Sequence, residues 1–353
     1  IQNIKPYQPI LPLEVLADNL SIAVNALVKL DANENPYGMP PTSKRRLENL
    51  TYGHIYPDPE SRYLRQRLSA FLRIPNKNII VGAGADELID LIVRLTMDPG
   101  EIVINCPPTF GFYETVAQVN NLCITPIWRK QDFSLDYPLI EKAVQNGAKL
   151  IFLANPNNPD GSVIKPEIVE KILSLSLLVV IDEAYVEFAK PYQSFTSEVL
   201  KRKNLIVLRT FSKWGGLAGL RLGYGVFPDE LAQEIMKIKP PYNVSVAASE
   251  AGLGALDDLA VLKDRLDLII KERNRLMQAL KRIGYLSPFP SQANFILCKV
   301  LEGDAYQLKS NLSQWGILIR HFKKPGLDDH IRISIGKPEE TDRLIQALEV
   351  YTP

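Results

Sequence analysis

Six short apolar runs, spaced along the first two-thirds of this 353-residue chain, constrain its fold more than any other feature. They are Asn78–Val81, Glu101–Cys106, Leu122–Ile127, Lys149–Ala154, Leu177–Asp182 and Leu205–Leu208. Each is strand-sized, rich in Val, Ile and Leu, and nearly free of polar alternation. Between them lie stretches of helical spacing: Asp86–Leu95, Phe110–Asn120, Leu139–Asn146 and Pro166–Leu175. In the first, Leu88, Ile89, Leu91, Ile92 and Leu95 form one apolar face. Strands with two apolar faces must be covered on both sides, and the intervening helices supply the cover. The expectation is an α/β fold with a mostly parallel sheet.

The pattern changes on either side of this block. Residues 1–30 read as an N-terminal arm of Pro-rich coil with one amphipathic stretch, Pro12–Leu20. Asp31–Pro41 (DANENPYGMPP) is a loop by composition, followed by helical spacing at Pro41–Leu50 and Ser61–Arg73. After Pro240-Pro241, residues 245–283 are helix-rich and charged; Asn294–Val300, Leu318–Arg320 and Ile331–Ile335 then read as short strands. This predicts a large domain over 31–245 and a smaller α+β domain over 246–353, in line with a chain too long for a single core.

Net charge is +1, which removes any bulk electrostatic case for nucleic acid or an anionic membrane. Cys106, Cys123 and Cys298 are widely spaced and odd in number, so a disulfide framework is not expected and a reducing, cytoplasmic setting is. No signal peptide is read; the longest apolar stretch, Leu173–Ile181, is too short to span a bilayer. The chain opens on Ile1, so a few residues are expected to precede it. His54, His321 and His330 are scattered, with no metal-ligand spacing.

Lys213 lies in LRTFSKWGGLAGLRLG, a lysine among small and apolar residues, with Ser212 before it and Arg221 eight residues on. Burial lowers a lysine pKa, and Schiff-base lysines arise that way. Hydroxyls and a forked arginine suit a phosphate. Together they suggest an aldehyde cofactor with a phosphate handle. Four other segments sit at predicted strand ends, where open α/β sheets bind ligands. Gly82-Ala83-Gly84-Ala85-Asp86-Glu87 could cradle a phosphate at a helix N-terminus. NPNNPDG (155–161) offers asparagine donors. Asp182, in DEAY, could pair with a protonated pyridine nitrogen, with Tyr185 three residues on. Phe110, in CPPTFG, could stack on a flat ring. Alone, each has a plainer reading as a turn, a helix cap or core packing. Their shared position at the ends of one sheet favours a common site.

These motifs resemble the fold-type-I aminotransferases that use pyridoxal 5′-phosphate (PLP). NPNNPDG is similar to the NPNNPTG loop of that family, DEAY to its pyridine-aspartate motif, and TFSKWGGLAGLRLGYG to its Schiff-base lysine motif. With DANENPYG, YPDPE, GAGADE, CPPTFGFY and IRISIG, the set resembles the histidinol-phosphate aminotransferase branch most, over nearly the whole chain from about Leu30. The resemblance implies a homodimer acting on small molecules. It implies that Lys213 carries the cofactor and moves the proton, and that Asp182 meets the pyridine nitrogen. Tyr185 and Asn158 would meet the ring's phenolic oxygen, and Phe110 would stack on the ring. Ala85, Asp86, Ser212 and Arg221 would surround the phosphate, with Tyr56 reaching it from the partner subunit. Arg332 and Arg320 would hold the substrate's acidic groups. Threonine-phosphate decarboxylase and aromatic aminotransferases share the pattern. One departure is Asp160, where the family has Thr; it is expected to cap the following turn.

Overall fold

The computed structural model describes residues 12–191 and 194–353. The first eleven residues of the N-terminal arm lie outside it. A seven-stranded sheet runs in the spatial order Ile79–Gly82, Gly223–Val226, Leu205–Thr210, Leu178–Asp182, Ala148–Ala154, Ile102–Asn105, Cys123–Pro126. All neighbours from Leu205–Thr210 to Cys123–Pro126 are parallel; Gly223–Val226 runs antiparallel to both of its partners.

Alternating residues of these strands enter two apolar layers, as a two-residue side-chain period requires. Val180, Phe152 and Ile206 face Leu88, Ile92, Val116 and Ile235, from the helices Ala85–Thr96, Phe112–Val119 and Asp229–Ile238. Val179, Ile181, Ile151 and Val207 face the other way, into a core shared with Val169 and Ile172 of the helix Pro166–Leu173. That second core continues without a break into Ile296, Ile319, Ile331 and Ile333 of a second sheet.

The second sheet has five strands in the order Val28–Leu30, Ile317–His321, His330–Ser334, Phe295–Val300, Leu286–Pro288. Val28–Leu30 adds to it in parallel, pairing Val28 with Ile317 and Leu30 with Ile319. So the end of the arm read as coil is a strand, fixed by a partner nearly 300 residues away in sequence. Two further strands were not legible from the residues. Gly223–Val226 (GYGV) has low β propensity, yet its backbone is needed where it is: a Cβ on Gly223 would lie 2.4 Å from the Ala85 backbone nitrogen. Leu286–Pro288 is a three-residue edge strand ending in proline, which an edge tolerates. Among the described residues, no helix is long and apolar enough to cross a membrane.

Candidate active site

The carboxyl ends of the parallel strands gather the candidate residues. Asp182 closes its strand in register with Ala154 on one side and Leu208 on the other. The Asn155 amide donates to Asp182 O at 2.8 Å, so the asparagine loop begins beside the aspartate. Lys213 follows the neighbouring strand, which ends at Thr210.

Lys213 is partly buried, and its Nζ donates to Ala32 O at 3.2 Å. The amine stands 5.9 Å from the centroid of the Tyr185 ring. Burial, reinforced by the nearby Arg332 cation, pulls its pKa down to about 8; Glu34 and Asp86 oppose the fall. An amine so placed is unprotonated about a tenth of the time at pH 7, far more often than an ordinary lysine, and a nucleophile or base needs that form.

Asp182 is buried, and desolvation raises its pKa to about 6. The Tyr113 hydroxyl donates to Oδ2 at 2.7 Å and the Ala184 amide to Oδ1 at 3.0 Å, which hold the carboxylate form in place. It is therefore mainly an anion at neutral pH, though a poorly solvated one, and suits a cationic N–H partner. Tyr185 accepts a bond from Asn33 Nδ2 at 3.1 Å and packs edge-on against Phe295 at 5.0 Å. Burial raises its phenol pKa, so the hydroxyl keeps its proton.

The turn before the helix Ala85–Thr96 is shaped for an anion. Gly84 caps it at φ +86°, with no side chain bonded to the helix end. Arg221 Nη2 meets Asp86 Oδ2 at 2.7 Å in front of this turn. Arg221 adopts left-handed backbone (φ +51°), unusual for a residue with a side chain. Ser212 is buried nearby, and its hydroxyl accepts from Thr210 Oγ1 at 2.9 Å.

On the other side, Arg332 is 6% exposed. Its Nη1 donates to Asn158 Oδ1 at 2.6 Å and its Nη2 to Asp31 O at 2.9 Å. Its guanidinium carbon lies 5.2 Å from the Phe295 ring centroid and 5.5 Å from that of Phe322. Arg320 stands directly across the ladder from Arg332, so both side chains leave the same face of the sheet.

With this geometry in place the comparisons can be read. The profile of aminotransferase class I and II matches residues 25–348. Over 350 residues the chain is 49% identical to a chloroplastic histidinol-phosphate aminotransferase of Nicotiana plumbaginifolia, covering 99% of this chain and 84% of that protein. It is 45% identical to the histidinol-phosphate aminotransferase of Roseiflexus castenholzii, covering 99% and 96%. The crystal structure of the Sinorhizobium meliloti histidinol-phosphate aminotransferase in complex with pyridoxal-5′-phosphate superposes with a TM-score of 0.88 at 30% identity, covering 96% of this chain and 94% of that one.

The chain belongs to the class I and II aminotransferases.

Of the site residues read from the sequence of this aminotransferase, Lys213, Asp182, Tyr185, Asn158, Ser212 and Arg221 lie at strand ends and in loops of the first sheet, Ala85 and Asp86 open a helix there, and Arg320 and Arg332 lie within strands of the second sheet. Phe110 is half-buried, edge-on to Tyr113 at 5.4 Å, and so one ring away from Asp182. Tyr56 is different: it is 79% exposed and stacks on Tyr242 at 4.7 Å. Asp160 caps its turn as expected, accepting from the Ser162 amide at 2.9 Å and from the Asn157 side chain.

Three contributors were missed. Tyr113 supports Asp182, Asn33 supports Tyr185, and Asn157 ties the asparagine loop to Thr109 Oγ1 at 2.8 Å. Tyr113 lies in the first turn of the helix Phe112–Val119, and no spacing in the sequence marks it as a partner of Asp182. Nothing local marks Asn33, whose partner is 152 residues away.

Proposed function

We propose that this aminotransferase transfers the amino group of L-histidinol phosphate to 2-oxoglutarate, giving imidazole-acetol phosphate and L-glutamate, in histidine biosynthesis, with PLP as cofactor. The observation that carries the reading is a lowered-pKa lysine and a buried carboxylate at or beyond the ends of neighbouring strands of the first sheet, with an arginine of the second sheet bonded to the asparagine loop beside them. Near full-length likeness to histidinol-phosphate aminotransferases supports the substrate.

The residues present fit PLP. Asp182 is an anion short of solvent, suited to the pyridinium N–H. The uncapped helix end at Gly84–Ala85, with Ser212 and Arg221, matches a phosphate. When bound, PLP supplies a carbonyl that takes the amino group and a ring that draws off the electron pair left at Cα. The chain does the rest. Lys213 Nζ would take the Cα proton and return it to the cofactor carbon on the other side of the transferred nitrogen. Asp182 keeps the ring nitrogen protonated, and Tyr113 keeps Asp182 in place. Tyr185 and Asn158 bind the phenolic oxygen, and Phe110 stacks on the ring. Arg332, with Arg320, binds the glutamate carboxylate in one half-reaction and the substrate phosphate in the other, since a guanidinium pairs bidentately with either.

The same proposal includes a homodimer. Tyr56 and Tyr242 form an exposed aromatic pair, and Tyr56 would meet the cofactor phosphate of the partner subunit. It also includes a large lobe over residues 31–245, a smaller one over 246–353, and a cytoplasmic setting. The three cysteines are unpaired, two of them buried.

The test is direct. The PLP-loaded enzyme is mixed with L-histidinol phosphate and 2-oxoglutarate, and glutamate is measured. Release of glutamate and imidazole-acetol phosphate is expected. Turnover only with phenylalanine or tyrosine, or carbon dioxide from threonine phosphate, would replace this substrate with those of the related enzymes. A Lys213→Ala variant should fold and lose turnover. Full activity from a species sedimenting as a monomer would remove Tyr56 from the site.

A further inference from the structure

One lysine that the transamination chemistry does not use is linked, by contacts and short steps along the chain, to the surroundings of Arg332. Arg332 is bonded to Asn158, and Asn157, its chain neighbour, accepts from Thr109 Oγ1 at 2.8 Å. Two residues past Thr109, a Cβ built on Gly111 would lie 2.9 Å from Lys324 Nζ. Two residues before Lys324, the Phe322 ring lies 5.5 Å from the Arg332 guanidinium. These contacts, with short steps along the chain between them, link Lys324 to the loops around Arg332.

The segment that carries Lys324 joins the strands Ile317–His321 and His330–Ser334 and is anchored across the lobes. Leu327 is buried with Phe133 and Leu297 in a satellite cluster against which Phe322 packs. A Cβ on Gly326 would lie 3.8 Å from the Trp128 ring. Lys324 itself is exposed and has no hydrogen-bond or ion-pair partner among the described residues. An ammonium brought to a packed loop without a counter-charge is poised for an anion from solution. One guanidinium carries a single positive charge, so a dianion bound beside Arg332 is met more fully when further cations stand near it.

We propose that Lys324 is a specificity residue whose ammonium binds the phosphate of the phosphorylated amino substrate at this rim, alongside Arg332 and Arg320. The role rests on the proposed substrate reading and extends it. Lys324 adds a flexible point charge that a phosphate dianion uses and an unphosphorylated donor does not. The contact is exposed, so salt screens it.

The test compares L-histidinol phosphate with L-histidinol as donors for the holoenzyme, its Lys324→Met and Lys324→Arg variants, and a Lys323→Met control on the adjacent exposed lysine. Lys324→Met should raise KM for the phosphorylated donor about tenfold at low salt, with kcat within about twofold, as expected for a lost ground-state charge contact. The kcat/KM for L-histidinol should move by less than about twofold, and Lys324→Arg should restore most of the loss. KM of the wild type should climb with ionic strength more steeply than that of Lys324→Met. Equal losses on both donors, or an unchanged KM for the phosphorylated one, would overturn the role of Lys324 while leaving the substrate intact. A wild type inactive on L-histidinol phosphate would overturn the substrate, and this role with it.

Discussion

Arg332 Nη1 donates to Asn158 Oδ1 at 2.6 Å, joining the central strand of the second sheet to the loop that ends a strand of the first. The bond links the group expected to bind substrate to one expected to bind cofactor, so loss of Asn158 should be felt twice. Asn158→Ala should raise KM for both substrates about tenfold, because a bond to a charged group contributes about 1.5–3 kcal/mol. It should also weaken PLP retention, read by equilibrium dialysis. Undisturbed kinetics would mean that Arg332 is held well enough by its other contacts, Asp31 O among them.

The depressed lysine sets a pH dependence for cofactor capture. Lys213 must lose its proton to attack, and its pKa is about 8. The rate at which cofactor-free enzyme takes up PLP should therefore rise with pH and level off above about 8. Stopped-flow absorbance measures this; a rise continuing to the ordinary lysine range would contradict the burial argument.

Asp182 should make the cofactor-free protein less stable at neutral pH. Its pKa is raised on folding, to about 6. Below the ordinary aspartate range both the folded and unfolded states are protonated and the residue is neutral to stability. As pH climbs from about 4 through about 6, the folded state gives up a proton it holds more tightly, and stability falls, by roughly 2–3 kcal/mol in all. Asp182→Asn should thus unfold at a higher temperature than wild type at pH 7, with the gap closing below about pH 4, and should lose turnover. No stabilisation at pH 7 would show that Tyr113 and Ala184 already offset the burial.

Behind the site lies a buried ion pair, Arg209 Nη2 to Glu187 Oε1 at 2.5 Å, with side chains 8% and 10% exposed. Removing one charge strands the other. Arg209→Met should destabilise by about 3–5 kcal/mol, and the double change Arg209→Met/Glu187→Leu should recover much of that. Chemical denaturation at constant pH measures both.

Gly223→Ala should disrupt the phosphate turn from behind. The added methyl would meet the Ala85 nitrogen at 2.4 Å and the Gly84 carbonyl carbon at 2.5 Å, backbone atoms with no rotamer to yield. The variant should lose about 3 kcal/mol or more and bind inorganic phosphate and PLP poorly. Wild-type stability would mean that the turn can shift as a body.

Much of the parallel sheet was legible because its strands are apolar on both faces and its helices keep one apolar stripe, a pattern that depends on local composition alone. Lys213, Asp182 and Arg221 stood out as candidates for a related reason: each lies in a short motif whose spacing suits the proposed chemistry. The strand Val28–Leu30 was not, because its three residues become a strand only through pairing with Ile317–Ile319. Gly223–Val226 was hidden by glycines chosen for close approach rather than for β propensity. Asn33, Tyr113 and Asn157 are supports whose partners are distant in the chain, and a hydrogen bond over such separations leaves no local trace.

By itself, then, the sequence determined the α/β class, and it marked Lys213, Asp182 and the arginines as the candidates on which the proposed function rests. The tertiary structure decided their environments. Burial moves Lys213 to about 8 and Asp182 to about 6, because desolvation depends on what packs around a charge and not on its neighbours in the chain. It also decided that the second sheet's Arg332 and its strap reach the first sheet's loops, since only folding brings residues 158 and 332, or 111 and 324, within contact.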